Sequence, residues 1–347
     1  MNYNLCDKVK NLTPYDPLQG DYELRLDANE SYLSLSDELL CKVAKAVKEA
    51  SFNRYPDPYA VKLCKAFADY YDIDADLVTA GNGSDELIGL ITGALLQKGE
   101  KILTLKPDFS MYRFYGDIYE NPVLVLEKND DLTVDVKKVI EKANAEDVKL
   151  VIFSNPCNPT SLGISKDEVR DIIKNVNALV VLDEAYMDFW DESLLSEVND
   201  YSNLIILKTC SKAIGMAALR VGFAVANKTI TNALKAVKSP YNVNSISQEI
   251  AATVLSDKDF LKKCEAKLIA SANYLKEEIQ KFTCFEKVYD SKTNFVYIKT
   301  DKAKEIYEEL LKRGIAVRCF GNALRISTDS IENNKLLIEN LYDITKG

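Results

Sequence analysis

Apolar runs of four or five residues recur along the chain, and each stops at a polar or glycine-rich segment. LVTA (77–80), KILTL (101–105), PVLVL (122–126), KLVIF (149–153), ALVVL (178–182), NLIIL (203–207) and VGFAV (221–225) have this form. Their density in Val, Ile and Leu predicts strands buried on both faces. Between them, apolar positions recur at helical spacing over about 110–117, 135–144, 166–175 and 228–238. This alternation predicts an α/β fold, with a mostly parallel seven-stranded sheet sandwiched by helices.

The two flanks read differently. Residues 1–35 are broken by Pro14, Pro17 and Gly20. A helix begins near Ser36, which caps it, with Asp37 and Glu38 at its positive end. Its expected apolar face is Leu39, Leu40, Val43, Val47 and Ala50. NRYPDP (53–58) is a turn, followed by a helix over about 60–71. After Ser239 comes a long amphipathic helical region, 247–281, with a bend expected near Asp257. Strand 294–299, helix 302–313, strands 315–318 and 323–327, and a last helix 331–344 complete a smaller α+β domain. The expected division is an N-terminal arm and start of the small domain in 1–50, a large domain in 51–240, and a small domain with its connecting helix in 241–347.

The chain has 347 residues, which suits one large and one smaller core. A net charge of -9 argues against a nucleic-acid partner. The longest apolar run, 87–96, is interrupted by Gly89 and Gly93 and is too short for a membrane span. The N-terminus has no apolar signal core, so a cytoplasmic setting is expected. The eight cysteines form no CxxC pair and read as reduced core residues. Histidine is absent. That removes Ser-His and Cys-His catalysis and His metal sites, so no metal is expected. Acid–base work near neutral pH then falls to a carboxylate, Tyr, Cys or Lys.

Ligands of an open α/β sheet bind beyond the carboxyl ends of its strands, and chemistry-bearing residues gather there. LVTA runs into Gly81-Asn82-Gly83-Ser84-Asp85 and a helix start, a turn whose N–H groups suit a phosphate. KLVIF runs into SNPCNPTS, ALVVL into Asp183-Glu184-Ala185-Tyr186, and NLIIL into Lys208-Thr209-Cys210-Ser211-Lys212, with Arg220 eight residues on. A lysine held charged between two buried strands is costly, and a Schiff base with an aldehyde avoids that cost. Amine, phosphate cradle, arginine, carboxylate and ring-oxygen donors together are the set that pyridoxal phosphate requires.

With these motifs the chain resembles the fold-type I pyridoxal-phosphate-dependent aminotransferases. The resemblance rests on NLTPY (11–15), LDANES (26–31), NRYP (53–56), GNGSDE (81–86), NPCNPT (155–160), LDEAY (182–186), TCSKAIGMAALRVG (209–222), PYNVNS (240–245), DSKTNF (290–295) and ALRIS (323–327). It implies that Lys212 carries the cofactor and then acts as base, with Asp183 and Tyr186 completing the catalytic set. Asp183 is expected at the ring nitrogen, Tyr186 and Asn158 at the ring oxygen, and Phe109 against the ring face. Ser84, Asp85, Thr209, Ser211 and Arg220 are expected at the phosphate, with Tyr55 from the neighbouring subunit of a homodimer. Arg325 is expected to clamp the substrate's anionic end, helped by Arg318, with Tyr15, Asn29 and Asn294 nearby. Within the family, the implied substrates are L-histidinol phosphate and glutamate/2-oxoglutarate, with Tyr15 and Tyr241 at the imidazole end. An aromatic aminotransferase or a phosphothreonine decarboxylase on the same scaffold is the alternative. That decarboxylase family carries a histidine-containing motif, which this chain lacks. Two departures stand out: Ser161 replaces the usual glycine of NPTG, and Ala218 replaces a glycine before Arg220. Alanine is tolerable at 218 only with negative φ.

Overall fold

The computed structural model describes residues 3–10, 12–14 and 18–346. The seven apolar runs form one sheet: β1 (Val78–Gly81), β2 (Ile102–Lys106), β3 (Val123–Glu127), β4 (Leu150–Ser154), β5 (Leu179–Asp183), β6 (Leu204–Thr209) and β7 (Gly222–Ala226). Their spatial order is β1-β7-β6-β5-β4-β2-β3. Neighbours pair in parallel except at β7, which runs antiparallel to both β6 and β1. The other six strands therefore point their carboxyl ends to one edge.

Both faces of the sheet are buried, as the unbroken apolar runs require, except along the edge strand β3, which pairs on one side only and is half-buried. Along β4, Val151 and Phe153 enter one core cluster and Leu150 and Ile152 another. Along β6, Leu204 and Ile206 alternate with Ile205 and Leu207 in the same way. A separate cluster contains Leu24, Leu26, Leu275, Val296, Ile298, Leu324, Ile326 and Leu337. It surrounds an antiparallel sheet of β8 (Lys287–Val288), β9 (Phe295–Lys299), β10 (Arg318–Phe320) and β11 (Ala323–Ser327), in the order β10-β11-β9-β8. Leu39 of the helix Asp37–Glu49, and Leu255 of the helix Ser245–Leu255, belong to the larger core.

Several expectations need correction. The segment 315–318 is not one strand. Ile315–Ala316 pairs in parallel with Leu24–Arg25, and β10 begins only at Arg318. Leu40 is 47% exposed, so the helix Asp37–Glu49 buries a narrower face, with Leu39 its fully buried residue. Of the eight unpaired cysteines only Cys64, Cys157 and Cys210 are buried, whereas Cys6 and Cys41 are exposed. Ser36 caps its helix as expected, accepting from Leu39 N at 3.2 Å. The long helical region breaks at Asp257, whose carboxylate caps Lys258–Ile279 by accepting from Phe260 N. Among the described residues, no helix is long and apolar enough to cross a membrane.

Candidate active site

The carboxyl ends of β2, β4, β5 and β6 open onto a cavity of about 550 Å³. Residues 27–30 and Arg318, Cys319, Phe320 and Arg325 make its opposite wall.

Asp183, the last residue of β5, is buried at the cavity floor. Tyr112 Oη donates to its Oδ2 at 2.8 Å and Ala185 N to its Oδ1 at 3.1 Å. Both donors are neutral, and the charged groups acting on it from further off, Asp108 and Asp85, are acidic. Burial therefore prevails over the two hydrogen bonds and pushes its pKa up to about 6.

Two lysines divide the roles expected of one. Lys208, inside β6, is the lysine buried among strands, and it stays charged. Asp188 lies 2.9 Å and Glu184 3.7 Å from its Nζ, and they hold its pKa up against burial. Lys212 follows the strand on a loop, half-buried, and lines the cavity. Its Nζ donates to Ala28 O at 2.8 Å and lies 5.8 Å from the Tyr186 ring centroid.

Beyond β1, the turn to the helix Ser84–Leu95 is open because two residues have no side chain. Gly83 has φ +83°, and a Cβ there would stand 2.9 Å from Arg220 Nη2. A Cβ on Gly222 would lie 2.2 Å from Ser84 N. The first turn of the helix thus faces the Arg220 guanidinium across an open cradle, with Thr209 and Ser211 on the same cavity. Free helix N–H groups beside an arginine suit a phosphate. Asp85 accepts from Tyr115 Oη at 3.0 Å, while its buried Oδ1 has no hydrogen-bond partner.

On the far wall, Arg325 Nη1 donates to Asn158 Oδ1 and Nη2 to Asp27 O, both at 2.5 Å. Asn158 N in turn donates to Ser154 Oγ at 3.2 Å. Asn29 has φ 54° and donates its Nδ2 to Tyr186 Oη at 2.9 Å, and Ser327 Oγ donates to its Oδ1 at 2.8 Å. The N-terminal segment thus joins β11 to the loop after β5.

The cavity brings together Lys212, Asp183, Tyr186, Ser84, Asp85, Phe109, Asn158, Thr209, Ser211, Arg220, Asn29, Arg318 and Arg325. Asn294 stands behind this lining and donates to Asn29 O at 3.1 Å. Tyr55 and Tyr241 do not line it. They stack on each other at 4.6 Å and are 82% and 41% exposed. Tyr15 lies outside the described residues. Ala218 is absent from the positive-φ residues, so alanine is unstrained there. Ser161 has φ 62°, so the position does demand a left-handed backbone and serine adopts it. Two site residues carried no signal in the motifs: Tyr112, which holds Asp183, and Asp108, which accepts from Ser154 Oγ and lines the cavity. Tyr112 is one helical turn beyond Phe109, the only sequence hint that both face one way.

A mixed sheet of this order brings an amine, a buried carboxylate, a glycine-opened helix start and an arginine to one cavity. The chain belongs to the family described as aminotransferase class I and II, which matches residues 23–341. It is similar to the histidinol-phosphate aminotransferase of Clostridium novyi (strain NT), 47% identical over 331 residues, covering 94% of this chain and 93% of that one. The histidinol-phosphate aminotransferase of Clostridium kluyveri is 39% identical over 345 residues, 97% of each chain. Among solved structures, histidinol-phosphate aminotransferase from Sinorhizobium meliloti, in complex with pyridoxal-5'-phosphate, has a TM-score of 0.90 at 22% identity. It covers 100% of this chain and 98% of that one, and at this identity the likeness shows the fold.

Proposed function

We propose that this chain moves the amino group of L-histidinol phosphate to 2-oxoglutarate, as a cytoplasmic homodimer carrying pyridoxal phosphate. The observation that carries the reading is the convergence of Lys212, Asp183, the Gly83–Arg220 cradle and Arg325 on one cavity. The names of its relatives support the choice of substrate. Its unpaired cysteines support a reducing, cytoplasmic setting.

Asp183 tests whether the residues present fit the cofactor. It is a buried carboxyl with neutral donors and acidic neighbours. A protonated ring nitrogen is a partner that would favour its ionised form. The cradle passes the same test, since a Cβ at Gly83 would crowd the arginine.

When bound, pyridoxal phosphate supplies an aldehyde for the amine and a ring that accepts electrons from the substrate's Cα. Lys212 would hold the aldehyde and Asp183 the ring nitrogen. Tyr186 and Asn158 would meet the ring oxygen and Phe109 the ring face. Ser84, Asp85, Thr209, Ser211 and Arg220 would hold the phosphate, with Tyr55 of the partner subunit. Lys212 Nζ takes the α-proton of the amino donor, held in place by Ala28 O on one side and Tyr186 on the other. Arg325 offers a planar fork that suits either a carboxylate or a phosphate, so glutamate and histidinol phosphate share one clamp. Asn158 and Asp27 O fix the direction of that fork, with Arg318 and Asn29 on the same wall and Asn294 behind it. The exposed Tyr55–Tyr241 stack supports a dimer, from which Tyr241 would reach the imidazole of the partner subunit's substrate. Tyr15 is the further candidate for that end.

The test is single-turnover conversion of bound cofactor, followed by absorbance, with histidinol phosphate, phenylalanine and phosphothreonine in turn. Histidinol phosphate should react fastest and 2-oxoglutarate should restore the starting spectrum. Faster conversion by phenylalanine, or carbon dioxide release from phosphothreonine, would replace this reading with the corresponding alternative.

A further inference from the structure

We propose that Lys128 and Cys157 form an oxidative crosslinking site, in which a peroxide activates the thiol and the amine closes a sulfur–nitrogen bond. Lys128 Nζ lies 2.9 Å from Cys157 Sγ. Other sulfur hydrogen bonds among the described residues are longer, at 3.5 Å from Cys157 Sγ to Pro107 O, 3.6 Å from Cys64 Sγ to Tyr59 O and 3.6 Å from Cys319 Sγ to Gly321 O. The pair is held from both sides. Lys128 N donates to Lys106 O at 2.9 Å and Cys157 N to Leu162 O at 2.7 Å. Cys157 is 2% exposed, and Lys128 is half-buried just beyond the end of β3. An amine that becomes nucleophilic on losing its proton is therefore preplaced against a thiol that the transamination reading does not use.

The chemistry closes in two steps. Hydrogen peroxide oxidises the thiol by two electrons, giving Cys157 sulfenic acid and one water. The neutral Lys128 amine then attacks sulfur. The S–N bond forms, the S–O bond breaks, and the departing hydroxide leaves as water with a proton from the amine. No second oxidant is needed, and a thiol reductant reverses the product. The electrostatics favour this order. In the reduced pair, burial lowers the Lys128 pKa while Cys157 and Asp108 raise it, with a net rise. Conversion to sulfenic acid weakens the support that Cys157 gives the Lys128 ammonium, so burial, which favours the neutral amine, counts for more. The new bond ties the strand end at 128 to the loop that carries Asn158, the residue that holds Arg325.

The experiment treats cofactor-loaded protein with hydrogen peroxide, digests it without reduction and maps the peptides by mass. The expected product is one peptide pair joined through Lys128 and Cys157, about 2 Da lighter than its two parts together. Dithiothreitol should release it. Lys128→Arg should abolish the join and leave Cys157 as acids bearing two or three oxygens. The proposal is overturned if wild-type Cys157 goes directly to those acids, or is recovered in a disulfide, with no pairing to Lys128. The wild-type peptides alone decide between these outcomes, even if the variant fails to fold. No amino donor is involved, so the result is independent of the substrate assignment.

Discussion

Replacing Asp183 by Asn removes a charge and keeps the volume, and it should move stability and catalysis in opposite directions. In the cofactor-free protein the Asp183 pKa rises from 3.8 to about 6, with burial as the main cause. A shift of roughly 2 units at about 1.4 kcal/mol each means that ionised Asp183 destabilises the cofactor-free fold by about 3 kcal/mol. The folded carboxyl binds its proton more tightly than the unfolded one. Stability from this group is therefore fully present below about pH 4, is lost as pH rises through about 6, and stays lost above it. Asn carries no such slope. Its Oδ1 can keep the Ala185 N–H, and the Tyr112 hydroxyl can turn to accept from Nδ2, so neither hydrogen bond at 183 need be lost. Denaturant unfolding of the cofactor-free variant against wild type, at steps from pH 4 to 8, should show a difference near zero at pH 4. The variant should be ahead by up to about 3 kcal/mol at pH 8. With the cofactor bound the order should reverse, and turnover of the variant should fall by about two to three powers of ten. A variant with no pH-dependent advantage when cofactor-free would refute the claim that Asp183 waits, destabilised, for a cation. Turnover within a factor of about three would refute its role at the ring.

Arg325→Lys should weaken both anionic substrates, raising KM for glutamate and for histidinol phosphate by about tenfold or more, because a point charge replaces the bidentate fork; unchanged steady-state KM for both would remove Arg325 as the clamp. Mixing Lys212→Ala with Tyr55→Ala subunits should restore activity through heterodimers in which one site carries neither lesion. No recovery despite demonstrated subunit exchange would count against a site shared between chains. Ser161→Gly should stabilise the protein by about 0.5 kcal/mol, since relief of the left-handed backbone slightly exceeds the added chain entropy of glycine; a loss of more than about 1 kcal/mol in denaturant unfolding would show that the Ser161 hydroxyl bond to Thr160 O matters more.

The strand ends were legible because burial makes the apolar runs continuous, and the first polar residue marks the cavity edge at Ser154 and Asp183, whereas after β6 it is the second, Thr209, that lines the cavity. The cradle was legible for a similar reason, since Gly83 breaks the pattern where only glycine fits. Contacts between distant side chains left no such trace. Nothing in local periodicity links Tyr112 to Asp183 or Asp108 to Ser154, and these pairs exist only in three dimensions. Leu24–Arg25 is too short a strand to show alternation, so its pairing with Ile315–Ala316 could not be read. The lysine argument was only partly legible. The buried lysine between strands is Lys208, neutralised by Asp188 and Glu184, whereas Lys212 reaches the cavity from the loop after β6. Leu40 shows the opposite limit, an apolar residue that this chain leaves exposed.

The pairing of Leu24–Arg25 with Ile315–Ala316 sets an order of events during translation. Residues 24–29 leave the ribosome early, yet their strand partner, and the Arg325 and Ser327 that bond Asp27 and Asn29, are made near the end. The central sheet is complete in sequence by Ala226 and can assemble on the nascent chain, since domains fold as they emerge. One wall of the cavity cannot. A growing chain therefore carries a finished floor, with Asp183 and Lys212 in place, while the substrate wall waits for the last strand. Premature termination before residue 315 would yield a chain with its central sheet complete but with Leu24 and Leu26 stripped of their cover, a species whose apolar surface chaperones and proteases would recognise.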